Sequence, residues 1–125
     1  MYRVLIAEDE VFVRLGIKMS VEWEKMGMQV IADAANGQQA WDIYEKEHPD
    51  IILTDIKMPV MNGLEATRII REEGASLPII MQTAYAFSSD RENAMQAGAS
   101  EVLVKPITVS ALRGCLSSYF PEIKW

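Results

Sequence analysis

Asp55 ends an apolar run, Ile51-Ile52-Leu53-Thr54, and is followed by the turn-like Lys57-Met58-Pro59. A carboxylate placed where a buried strand emerges can act as a nucleophile, a metal ligand or both. Other apolar runs end in Glu8-Asp9-Glu10, in Thr83 and in Lys105-Pro106. Brought together, Glu8, Asp9 and Asp55 would meet one hydroxyl and one ammonium. Converging acids repel one another, so the set calls for a cation, and its hard oxygen donors suit Mg²⁺. Asp9 and Asp55 are read as direct ligands, Glu8 as a ligand directly or through a water, and the Lys57 carbonyl as completing the set. A metal held there keeps Asp55 ionised and neutralises the oxygens of an incoming phosphoryl group. Lys105 offers a point charge to one phosphate oxygen and the Thr83 hydroxyl donates to another. An aspartyl phosphate on Asp55 is the expected product.

The elements that must position these residues alternate along the chain. Five apolar runs read as buried strands: Val4-Leu5-Ile6-Ala7, Val30-Ile31-Ala32, Ile51-Ile52-Leu53-Thr54, Ile79-Ile80-Met81 and Val102-Leu103-Val104. They lack polar alternation, as strands covered on both faces should. Helical faces are expected from Phe12, Leu15 and Met19; from Ala40, Ile43 and Tyr44; from Gly63, Ala66, Thr67 and Ile70; from Ala94 and Ala97; and from Leu112, Cys115, Leu116 and Tyr119. Turn residues such as Asn36-Gly37, Asn62-Gly63, Gly74, Gly98 and Pro106 punctuate the boundaries. The pattern predicts an α/β fold, (βα)5, with a doubly wound five-stranded parallel sheet. In such sheets the functional crevice lies beyond the carboxyl ends of the strands, where these residues stand.

Composition excludes several classes. The 125 residues fit one domain, 1–125, and half of them are hydrophobic against 24% charged, which argues for a folded chain. A net charge of −6 without a basic cluster argues against direct nucleic-acid binding. No apolar run approaches a membrane span, and Cys115 is the only cysteine, so a cytoplasmic location is expected. Other conspicuous residues have plain readings. Asp33 and Asp50 read as turn or cap acids, His48 as an exposed loop residue before Pro49, and Cys115 as core packing. Trp23, Trp41 and Trp125 read as packing or edge residues.

The ordered set Glu8-Asp9, Asp55-Ile56-Lys57-Met58-Pro59, Thr83-Ala84 and Lys105-Pro106, with Gly63 and Gly98, resembles the receiver domains of two-component response regulators from Val4 to about Tyr119. The resemblance implies the flavodoxin-like strand order 2-1-3-4-5 and a cis Lys105-Pro106 bond. It also implies phosphoryl transfer to Asp55 from a sensor histidine kinase or a histidine phosphotransfer protein, with Mg²⁺. The face made by the fourth helix, fifth strand and fifth helix would then switch to control an output domain or partner, and would serve any homodimer. Trp23-Glu24-Lys25-Met26-Gly27 and Asn36-Gly37 resemble receivers of AraC-type regulators. Glu65-Ala66-Thr67-Arg68, Thr83-Ala84-Tyr85-Ala86 and Asp90-Arg91-Glu92 are closer to receivers of hybrid sensor kinases. The parent's output is accordingly read as DNA-binding or kinase. Two departures stand out: Glu8 replaces the commoner aspartate, and Val102 occupies a place where many receivers carry an aromatic switch residue. Tyr85 is the candidate either to carry part of that signal or to shield the phosphoryl site.

Rival functions fit less well. A nucleotide-binding module wants a glycine-rich loop after the first strand, where this chain has three acids. An aspartyl-phosphate phosphatase wants a second acid two residues beyond its nucleophile, and position 57 is lysine. A degenerate receiver, binding partners without being phosphorylated, is the alternative that shares the fold.

Overall fold

The structure is a computed structural model that describes residues 1–84 and 89–123. The strands are β1 (Tyr2–Ala7), β2 (Met28–Ala34), β3 (Ile51–Asp55), β4 (Ile79–Thr83) and β5 (Glu101–Val104). The helices are α1 (Val11–Ser20), α2 (Gly37–Glu47), α3 (Gly63–Glu72), α4 (Asp90–Ala97) and α5 (Val109–Tyr119), with a 3-10 turn over Trp23–Met26. All strand pairs are parallel, and the order is β2-β1-β3-β4-β5, as expected. No helix among the described residues is long and apolar enough to cross a membrane.

Because side chains alternate along each strand, the sheet feeds two cores. On one face Val4, Ile6, Ile51, Leu53 and Ile80 pack with Leu112 and Leu116 of α5, and Trp23 and Phe120 join them. On the other, Leu5, Ile52 and Ile79 pack with Ala40 of α2 and Ile70 of α3. A third cluster joins Ile56, Met81 and Val102 to Ala94 of α4. Val102 is therefore a buried packing residue between the sheet and α4. Trp41 stacks on Tyr44, whereas His48 ends α2 as an exposed left-handed residue. Tyr85 and Trp125 lie outside the described residues.

The first helix departs from expectation. Phe12 is 88% and Met19 82% exposed, Leu15 is exposed as well, and no residue of α1 is buried. Val13 and Ile17 turn inward instead. The helix carries apolar residues almost all round, so periodicity alone does not choose its face. Charge chooses it. Asp33, expected to be a solitary turn acid, binds Lys18 Nζ at 2.6 Å and Arg14 Nε at 3.3 Å, and Arg14 Nη1 donates to the Glu8 carbonyl at 2.6 Å. These ties turn the Arg14 and Lys18 edge toward β2.

Candidate functional site

The strand order puts the end of β1 beside that of β3, and β3 beside β4, at the place where the winding reverses. Asp55 is the last residue of β3 and pairs in register with Gln82. Thr83 closes β4 and pairs with Val104, while Glu8 and Lys105 each follow their strand by one residue. The loop after β3 is held close by backbone contacts. The Gly63 amide donates to the Ile56 carbonyl at 2.8 Å, and a Cβ on Gly63 would lie 2.2 Å from the Asp55 carbonyl oxygen. Only glycine allows that approach. Asn62 caps α3 by accepting from the Glu65 amide at 2.9 Å.

The geometry brings the expected residues together. Carboxylate oxygens of Glu8, Asp9 and Asp55 lie within 4.8 Å of one another. Lys105 Nζ donates to Glu8 Oε1 and to Asp55 Oδ2, both at 2.8 Å. Glu8 is fully buried and Asp55 only 7% exposed, whereas Asp9 faces solvent. Asp9, Asp55, Lys57, Thr83 and Lys105 line one cleft of about 220 Å³. The Lys105–Pro106 peptide is cis.

The electrostatics match a site two positive charges short. Desolvation, then the hydrogen bond and negative charge of Glu8, raise the Asp9 carboxyl above its ordinary value. Desolvation pulls the Lys105 ammonium down, but its bonds to Asp55 and Glu8 outweigh that loss and leave it raised. Three acids thus share one lysine. This all-oxygen set fits a hard divalent cation, which would relieve the repulsion that raises Asp9.

One neighbour was not singled out from sequence for this site. Asp90, the first residue of α4, accepts the Thr83 hydroxyl at 3.0 Å and lines the same cleft. Its position in an acidic helix start, Asp90-Arg91-Glu92, reads as ordinary helix-dipole placement. Only the fold aims it at Thr83.

Comparison with known proteins decides the family. The sequence profile described as the response regulator receiver domain matches residues 4–117. The chain belongs to the response regulator receiver domain family. This receiver is 40% identical to the chemotaxis protein CheY of Bacillus subtilis over 105 residues, covering 84% of this chain and 86% of that one. It is 31% identical over 124 residues to the uncharacterized transcriptional regulatory protein YesN of Bacillus subtilis, covering 99% of this chain but 34% of that protein. Among solved structures, the receiver domain of the sensor histidine kinase PA1611 from Pseudomonas aeruginosa, which has a magnesium ion coordinated in its active-site cleft, superposes with a TM-score of 0.83. That match has 35% identity and covers 96% of this receiver and 98% of that chain.

Proposed function

We propose that this receiver, taken as one domain over 1–125, accepts a phosphoryl group on Asp55 from a phosphohistidine and uses it to control an output domain or partner. The observation that carries the reading is the bridging of Asp55 and buried Glu8 by Lys105, with Asp9 completing the acidic cluster at the strand ends. A carboxylate oxygen of Asp55 forms the new P–O bond as the P–N bond of the donor imidazole breaks, and the electron pair returns to the ring nitrogen. Lys105 holds Asp55 in place and meets the negative charge of the arriving oxygens. Glu8, Asp9, Asp55 and the Lys57 carbonyl would hold Mg²⁺, which supplies Lewis-acid neutralisation of phosphoryl oxygens when bound. Thr83 then exchanges Asp90 for a phosphoryl oxygen, which removes one tie between β4 and the start of α4. With Val102 packed against Ala94, that movement reaches the α4-β5-α5 face by packing, with no aromatic needed at position 102.

The donor is a sensor histidine kinase or a histidine phosphotransfer protein. Val11, Phe12, Leu15 and Met19 are exposed on α1, two residues and more beyond Asp9, and support docking of that protein beside the site. The output is a DNA-binding or kinase domain, and the α4-β5-α5 face is the proposed homodimer surface. A cytoplasmic location goes with such a donor and with a lone cysteine.

Mass spectrometry after incubation with Mg²⁺ and acetyl phosphate tests the proposal. Wild type should gain a hydroxylamine-labile phosphoryl adduct that Asp55→Asn lacks. Identical spectra for the two proteins would sink the assignment and favour a receiver that binds partners without phosphorylation.

A further inference from the structure

The core between the sheet and helices α1 and α5 ends, toward the strand tips, in a side chain that packing does not explain. Ile80 and Gln82 of β4 point to the same face, and Ile80 packs with Leu53, Leu112 and Leu116. One step further along the strand stands Gln82, 1% exposed, with no hydrogen-bond partner for its Nε2 among the described residues. Buried donors are normally paired, so an orphan of this kind demands a reason.

Gln82 lines an apolar cleft of about 400 Å³ between α1 and the connection from β5 to α5. Val13, Ile17, Pro106, Ile107 and Leu112 form its walls. Gly16 opens it. A Cβ built on Gly16 would meet nothing within 4 Å, so no close approach requires glycine at this mid-helix position, where it weakens the helix. The cleft is larger than the acidic one and distinct in character, although Lys105 and Ala84 border both. A bound water would need two or more polar partners, and these walls are mainly hydrocarbon.

We propose that this cleft binds a small, neutral, largely apolar molecule carrying one hydrogen-bond acceptor, such as an aryl or short alkyl amide or ketone. Its apolar body lies between Gly16 and Ile107, and its carbonyl accepts from Gln82 Nε2 once the side-chain amide, now turned into the wall, rotates toward the cleft. The volume falls in the range of small-molecule pockets, which pair apolar walls with a few placed polar groups. A neutral ligand is specified because Lys105, the bordering cation, is already held by Glu8 and Asp55. An anion would face those carboxylates, and no carboxylate lines the cleft to hold a cation. The binding uses none of Glu8, Asp9, Asp55 or Thr83, so it stands apart from the phosphoacceptor reading.

Titration of the full chain with acetanilide, followed by ¹H–¹⁵N NMR, tests the site. The Gln82 side-chain amide and the backbone amides of Gly16 and Ile107 should shift saturably. Gln82→Met keeps the length and removes the donor, and should weaken affinity at least about tenfold, the scale expected for one lost hydrogen bond to a buried group. Gly16→Leu should abolish the shifts while leaving the melting temperature equal or higher, which separates a filled cleft from a damaged fold. Shifts that do not saturate, shifts centred on Phe12 and Met19, or equal affinity in Gln82→Met would each overturn the proposal.

Discussion

Helices α1 and α3 are both ten residues long and lie on opposite faces of the sheet, yet they are held in different ways. Helix α3 begins at an Asn62 cap and buries Gly63, Ala66, Thr67 and Ile70. Helix α1 has no side-chain cap, buries no residue, and is tied down by Arg14 and Lys18 on Asp33. A closed core fixes one; partly buried Ile17 and two ion pairs hold the other. The more lightly packed helix begins beside the acidic cleft and leaves apolar surface on both its outer and inner sides.

The contrast can be broken most sharply by truncating side chains. Ile70→Ala should cost about 2–5 kcal/mol in urea unfolding, because it opens a cavity in a closed core. Phe12→Ala should stay within about 0.5 kcal/mol, as expected for an exposed side chain. Equal losses would mean that α1 is packed after all. Next in size is Asp33→Asn, which removes the charge that Arg14 and Lys18 share. Its pairs are partly exposed, so the loss should be about 1 kcal/mol at low salt and shrink as salt is added. A loss unaffected by salt would show that Asp33 acts through packing or hydrogen bonding.

The smallest effect sharpens the description of α5, the partner of α1 on that face. Burial first, then the charge of Glu101, pushes the Cys115 thiol up to about 11. In the unfolded chain the thiol ionises nearer its ordinary value of 9.0. The raised value therefore favours the folded state below about pH 9, and this contribution is lost as pH climbs toward 11. Thiol alkylation should accordingly be slow at pH 8 in the folded protein and fast in denaturant. Fast alkylation of the folded protein would mean that α5 is as open to water as α1.

The strands were the most legible part of the fold, since Ile51-Ile52-Leu53 and Ile79-Ile80-Met81 are too short for helices and too apolar for exposed strands. Structure lengthened β1 at its start, to Tyr2–Ala7, and β2 equally at both ends, to Met28–Ala34. The helix faces were legible where polar residues oppose apolar ones, as in α3. They were not in α1, where Val11, Phe12, Val13, Leu15, Ile17 and Met19 satisfy more than one face. Asp33 illustrates the same difficulty, because nothing local links it to Arg14 or Lys18 across the turn.

Residue type and spacing alone determined that Glu8, Asp9, Asp55, Thr83 and Lys105 stand at strand ends, because hydrophobic periodicity marks where each strand stops. What only tertiary structure decided was everything set by contacts between distant segments. Lys105 bridges Glu8 and Asp55, Asp90 takes the Thr83 hydroxyl, and Gln82 Nε2 is buried without a hydrogen-bond partner among the described residues. Those outcomes depend on which strands become neighbours and on how closely each helix approaches the sheet, and both are properties of the whole packed chain.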